Sequence, residues 1–336
     1  MTEARVALIG YGLAGSVFHA PLIDVTAGLG LRTVVTRNPE RADEARRRYP
    51  GVEVVGEAEA AIDPDEHDLI VVATPNDSHA AFARAAIEAA IPVIVDKPLA
   101  PAAAEARELV EFAERRGVAL TVFMNRRWDS DQLTLGRLIE AGRLGEVLLN
   151  QSRFERWKPK TADVWRETTT PEHGGGVLLD LGTHLVDQAL MRFGPARSVY
   201  GEVLHRRGGP ADDDAFIALE HESGVTSHLR AAIVEPAPGP RLRVSGSEAA
   251  FLVETVDGQE EALRAGARPG PGWGVEPEER WGRLIRGDDA EPVPAEPGGW
   301  PRFYAGVADA LAESGPMPVD PRDAVAVLEI LDHARA

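Results

Sequence analysis

The chain has 336 residues, 44% of them hydrophobic and 27% charged, with a formal net charge of −18 at pH 7. That length predicts two domains, and the uniform acidity excludes nucleic acid and anionic membrane surfaces as natural partners. Cysteine is absent, which rules out disulfides, thiolate catalysis and cysteine-ligated metals, and no apolar run reaches membrane-spanning length.

The chain enters a strand pattern within its first residues, with no signal-peptide core, so the cytoplasm is the expected compartment. Residues 6–9, 31–36, 69–73, 93–95 and 119–123 are short apolar runs rich in Val and Ile, as strands covered on both faces require. Between them, residues 39–49, 78–89 and 101–116 carry helical periodicity. This βαβα order predicts a doubly wound parallel sheet over residues 1–124.

From residue 125 the pattern changes. A connecting helix over 128–141 leads to a long strand over 145–158 and a helix with a glycine-rich start over 174–193. Strand-like runs follow at 198–205, 215–220, 226–233, 242–245 and 250–255 without helices between them, which predicts a large, mostly antiparallel open sheet. Residues 265–299, rich in Gly, Pro, Glu and Trp, read as a long excursion with little regular structure. Two helices, 300–314 and 321–334, close the chain. The expected architecture is α/β: an N-terminal Rossmann domain over 1–124, then an α/β domain over 125–336 for substrate binding and oligomerisation. The C-terminal helices are free to pack back on the first domain.

The first strand runs into Gly10-Tyr11-Gly12-Leu13-Ala14-Gly15, which opens a helix. Glycines there allow a tight turn and let backbone N–H groups approach a pyrophosphate resting on the helix N-terminus. The second strand ends at Val35-Thr36-Arg37-Asn38, without the Asp or Glu that holds an unmodified ribose 2′-hydroxyl. Thr36 and Arg37 suit a 2′-phosphate, so NADP is preferred and NAD is the alternative; a solvated cation near Glu40 is the plain reading of Arg37. Thr74-Pro75-Asn76-Asp77-Ser78-His79 follows the strand at 69–73, so Thr74, Pro75, Asn76 and His79 border the cofactor crevice. Asn76 or Ser78 equally suits a helix cap.

Only Lys97, Lys158 and Lys160 among the 36 basic residues are lysine. Lys97 stands in Asp96-Lys97-Pro98, directly after the strand at 93–95, where α/β folds place ligands. A lysine can exchange a proton where an arginine cannot. In the second domain, Asp180 and His184 share a helix face behind Gly174-Gly175-Gly176. An arbitrary pair of this spacing is an internal hydrogen bond; the glycines and the upstream cofactor motif favour a site. No metal-ligand spacing is present.

Taken together, Gly10-x-Gly12-x-x-Gly15, Asp96-Lys97-Pro98 and Asp180-x-Gly182-x-His184 resemble the Gfo/Idh/MocA oxidoreductases over essentially the full length. The family more often has Glu before the lysine. Phe18-His19-Ala20-Pro21-Leu22, Asn125-Arg126-Arg127-Trp128-Asp129-Ser130-Asp131 and Asp163-Val164-Trp165-Arg166-Glu167 look like the branch of NADP-dependent scyllo-inositol dehydrogenases. The resemblance implies reversible oxidation of a secondary alcohol on a polyol or sugar, with Lys97, Asp180 and His184 catalytic. Either Lys97 or His184 would carry the proton. It places Asp96 and Lys97 beside the cofactor and Asn125, Trp165 and Arg166 beside the substrate, and implies a homodimer or homotetramer through the second sheet. Two other readings stand beside it. One is a non-catalytic NADP sensor. The other is a keto-sugar-nucleotide reductase using the cations Arg153, Arg156, Lys158 and Lys160, which otherwise form a solvated strand face.

Overall fold

The computed structural model describes residues 3–336. The chain divides into two compact units. One comprises the residues up to Met124 with Glu260–Pro271 and Trp300–Val325; the other comprises Asn125–Gln259, Gly272–Gly299 and Ala326–Ala336.

The first unit is built on six strands: β1 (Ala4–Ile9), β2 (Leu29–Val35), β3 (Glu53–Val55), β4 (Leu69–Val72), β5 (Val93–Val95) and β6 (Leu120–Val122). They lie in the order β3-β2-β1-β4-β5-β6, all parallel. Val6–Ile9 and Leu69–Val72 are at most 1% exposed, as the unbroken apolar runs require of strands covered on both faces. The order reverses between β1 and β4, so the crevice at their carboxyl ends is where such a sheet binds ligands. Strand β3 was not foreseen: three residues, none fully buried, carry no usable period. Trp300 at the N-cap of the helix Pro301–Glu313, with Phe303 and Tyr304 inside it, each at most 1% exposed, joins this unit's aromatic core.

The second unit carries eight strands: β7 (Val147–Glu155), β8 (Ala196–Leu204), β9 (Asp214–His221), β10 (Thr226–Ala232), β11 (Leu242–Gly246), β12 (Ala250–Val253), β13 (Gly282–Arg286) and β14 (Asp289–Val293). Their order is β14-β13-β12-β11-β7-β10-β9-β8, antiparallel throughout except for β7 beside β10. Leu135 and Leu138 of the helix Ser130–Glu140 meet Val244, Phe251 and Leu284 in its core. Along β9, Ala215, Ile217 and Leu219 are buried while Phe216 and Ala218 are half-exposed, the alternation of a sheet with one covered face.

The expectation of an irregular 265–299 segment is corrected here. Residues 282–293 form a hairpin, β13 and β14, around the two-residue turn Gly287-Asp288, with Gly287 at φ +56°. Its composition hid it: Pro292 is tolerated because β14 is the sheet's edge strand, and most of β14 is exposed. The helix Gln259–Arg264 precedes it.

Candidate active site

In the first unit every turn that bears a candidate residue lies at the carboxyl end of the parallel sheet. Gly10–Gly15 follows β1, Thr36 and Arg37 follow β2, Thr74–His79 follows β4, and Asp96-Lys97 follows β5. Gly10 has φ +100°, and a Cβ on Gly15 would lie 2.0 Å from Gly10 O, so neither position accepts a side chain. Leu13 is exposed and Ala14 buried; the helix opens as a π-helical turn, Ala14–His19, with Ser16 N–H and Oγ both donating to Gly12 O. A Cβ on Gly12 would meet only Arg41 Nη1 at 3.9 Å. The backbone beside that glycine is therefore open to a phosphate group, with a cation at its edge. The residues present fit a dinucleotide.

Arg37 is exposed and forms a 2.6 Å ion pair with Glu57, while Thr36 Oγ1 accepts Asn38 N–H at 3.3 Å. Arg41, which the sequence did not single out, is a second cation on this side. Thr74 Oγ1 accepts from Ser78 Oγ at 2.7 Å, and the same hydroxyl reaches Pro75 O. Ser78 thus tightens the turn and makes no side-chain cap of the helix His79–Glu88. Asn76 is buried in that turn.

His79, expected beside the cofactor, is held inside this turn. Its ring is fully buried, with Nδ1 2.8 Å from Pro98 O and Nε2 2.9 Å from Thr74 O. A neutral ring donates to one of these carbonyls, and its other nitrogen only packs against the second. The imidazole packs between the turn after β4 and the Lys97-Pro98 segment. Burial pushes its pKa down despite nearby Asp96. Lys97 is half-buried, its peptide to Pro98 is cis, and its N–H donates to Asp96 Oδ1 at 2.9 Å.

In the second unit the glycine run has a steric cause. Gly176 has φ +97°, and its Cβ would lie 1.9 Å from Asp212 Oδ1. Asp212 needs that space, since its Oδ2 accepts Leu178 N–H at 2.7 Å and its carbonyl accepts Val177 N–H at 3.0 Å. It anchors the helix start that carries the candidate pair. The expected helix over 174–193 begins instead as a π-helical turn, Leu178–Gly182, and becomes α-helical over Thr183–Phe193. Such π segments recur at functional sites. Asp180 is half-buried, 3.5 Å from Arg166 Nε, and Arg166 stacks on Trp165 at 4.6 Å. His184 is 6% exposed and meets the edge of Phe154. Structure therefore brings Trp165, Arg166 and Asp180 together on one side of this unit.

The run Asn125–Asp131 supplies mostly scaffold. Asn125 is buried, Arg127 makes a bidentate pair with Asp187, and Arg126 lies 3.2 Å from Asp129. Arg241 is 3.3 Å from Asp131, and Arg126 and Arg241 both stack on Phe154, at 4.9 and 4.1 Å. Burial, with repulsion from Asp257, pushes the Asp129 carboxyl well above its ordinary range despite Arg126 and Arg241. A raised acid pKa means the folded chain holds that proton more tightly than the unfolded one. Stability is then lost as pH climbs from about 4 towards the folded pKa. Asp129→Asn should therefore gain stability relative to the parent as pH rises from about 4 to 7 in urea titrations. A constant difference across that window would contradict the assignment.

A parallel sheet with a glycine cradle, a lysine beyond β5 and a separate second sheet defines a dinucleotide-dependent oxidoreductase. Residues 4–124 match the oxidoreductase family, NAD-binding Rossmann fold, and residues 133–252 match the GFO/IDH/MocA C-terminal domain. The chain belongs to the Gfo/Idh/MocA oxidoreductase family. It is similar to scyllo-inositol 2-dehydrogenase (NADP(+)) IolW of Bacillus subtilis (strain 168), 35% identical over 98% of this chain and 92% of that protein. It is 38% identical to the uncharacterized oxidoreductase YdgJ of Escherichia coli (strain K12), over 98% of this chain and 94% of that one. The solved structure of the oxidoreductase yvaA from Bacillus subtilis superposes with a TM-score of 0.93 at 34% identity, covering 99% of this chain and 95% of that one. The recognition of the family from three short motifs is thereby borne out. No helix among the described residues is long and apolar enough to cross a membrane.

Proposed function

We propose that the protein reversibly oxidises a secondary alcohol of a polyol or sugar, of an inositol-like kind, with NADP as the preferred dinucleotide. The observation that carries this reading is the gathering of Gly10–Gly15, Thr74 and Lys97 at the carboxyl ends of β1, β4 and β5. Similarity to an NADP-dependent inositol dehydrogenase supports the substrate class, as does 29% identity over 66% of the chain to inositol 2-dehydrogenase 2 of Saccharopolyspora erythraea.

Gly10, Gly12, Leu13, Ala14 and Gly15 would hold the pyrophosphate, and Thr36, Arg37 and Arg41 the 2′-phosphate. The bound dinucleotide supplies the hydride acceptor or donor. Lys97 donates a hydrogen bond to the reacting oxygen and stabilises alkoxide charge as it develops. His184 serves as base in oxidation and acid in reduction, because imidazole titrates near neutrality. Arg166, paired with Asp180 and stacked on Trp165, orients substrate hydroxyls. The half-exposed Phe216, Ala218 and Leu149 and the exposed Tyr200 on the outward face of the second sheet support a homodimer or homotetramer through that sheet.

One preparation tests these statements. Inositols, aldoses and keto-sugars are screened with NADP and NAD by absorbance of the reduced cofactor, and the solution mass is read by light scattering. Arg37→Ala should weaken NADP by about tenfold and leave NAD unchanged, the loss of one charge-assisted contact. Tight NADP binding with no turnover on any substrate would favour the sensor reading, and a single-chain mass would refute the oligomer.

A further inference from the structure

The segment Phe18-His19-Ala20-Pro21-Leu22 is not used by the function above. Its histidine is fully buried in the first unit, packed against the Phe123 ring at 4.4 Å. His19 Nδ1 lies 2.6 Å from Tyr304 Oη, and Nε2 lies 3.8 Å from Asp96 Oδ1. The same Oδ1 accepts the backbone N–H of Lys97 at 2.9 Å. A line of polar groups thus runs from the helix Pro301–Glu313 to the Lys97 turn, inside the aromatic packing of Phe123, Phe303 and Tyr304.

The tautomer follows from donor accounting. Tyr304 Oη is fully buried, and burial together with Asp96 pushes its pKa well above the ordinary value, so the hydroxyl keeps its proton. Its hydrogen-bond partner is His19 Nδ1. A hydroxyl that donates there leaves the ring proton on Nε2, the nitrogen that faces a carboxylate. The opposite tautomer would aim a lone pair at Asp96. Around Asp96 stand His19, Lys97, His79 and Tyr304. Burial raises the Asp96 carboxyl, but His19, Lys97 and His79 outweigh that and hold it below the usual range.

We propose that Tyr304, His19 and Asp96 form a buried relay that fixes the Lys97 turn, and that His19 is a positioning residue for the reaction. The order is Tyr304 O–H to His19 Nδ1, His19 Nε2–H towards Asp96, and Lys97 N–H to Asp96. The proposal rests on the reading of Lys97 as a reacting group. A displaced catalytic group costs turnover while leaving dinucleotide binding largely intact, since the glycine cradle is separate.

Two measurements test it. In the cofactor-free protein, nitrogen-15 NMR of the imidazoles, with the His19 signal assigned by its loss in His19→Phe, should show Nε2 protonated and Nδ1 accepting. Tyr304→Phe should remove that acceptor signature. In turnover, His19→Phe should lower kcat by about tenfold or more with little change in the KM for NADP, and His19→Gln, which keeps a donor towards Asp96, should recover part of it. A proton resident on Nδ1, or kcat retained within about twofold in both His19→Phe and Tyr304→Phe, overturns the relay. Should His19→Phe fail to fold, the Tyr304→Phe spectrum and turnover decide alone. Lys97→Ala is measured alongside. Normal turnover there sinks the reading of Lys97, while the NMR result still judges the relay.

Discussion

Lys97→Ala should lower kcat by about 10²- to 10⁴-fold while changing NADP affinity little, the range over which a positioned proton-handling group contributes. The position of Lys97 sets this expectation. Lys97 follows β5 next to the switch point between β1 and β4, its N–H is held by Asp96, and the carbonyl of Pro98 after it lies 2.8 Å from His79 Nδ1. Two separate contacts hold this turn, which is more than an idle surface lysine would receive. Lys97→Arg separates the two roles open to this side chain. Guanidinium keeps the charge and cannot release a proton at working pH. Retained turnover in Lys97→Arg with a collapse in His184→Ala would make Lys97 an electrostatic stabiliser and His184 the proton carrier. The reverse pattern would assign the proton to Lys97. Undiminished turnover in both Lys97→Ala and His184→Ala would remove the proposed mechanism altogether.

Arg127→Ala should destabilise the protein by about 3–5 kcal/mol, the cost of leaving a buried charge without its partner. Asp187 is 2% exposed and receives Arg127 Nε at 3.0 Å and Nη2 at 2.5 Å. Removing the guanidinium takes a bidentate, charge-assisted contact from a carboxylate in the interior of the second unit. Denaturant unfolding of Arg127→Ala and of the double variant Arg127→Met, Asp187→Leu should differ. The double variant recovers most of the loss because both charges leave together. If Arg127→Ala alone costs under about 1 kcal/mol, the pair behaves as a surface bridge and the burial argument fails.

Much of the first unit was legible because its physics is local. A strand covered on both faces must be apolar along its whole length, so β1, β4 and β5 announce themselves, and Gly10 and Gly15 after β1 are required by backbone contacts that no side chain survives. Strand β3 and the hairpin β13–β14 were not legible. Both are short and without an unbroken buried run; β3 pairs with β2, distant in sequence, while the local pairing of the hairpin is masked by its Gly, Pro and acidic residues. The site divides the same way. Gly10, Lys97 and His184 stand out by motif, whereas the roles of His79 and Arg127 depend on the partners the fold brings to them.

What sequence by itself determined is the class: a dinucleotide-binding α/β chain with a second sheet and an amine at the end of a buried strand. Those features follow from residue type and spacing, which act over a few residues. Only the tertiary structure decided that His19 meets Tyr304, 285 positions away, and that Gly176 makes room for Asp212. It also decided that Asp96, read as a cofactor contact, is the carboxylate on which Lys97 and His19 converge. Contacts of that kind depend on how separate segments pack, and no local period encodes them.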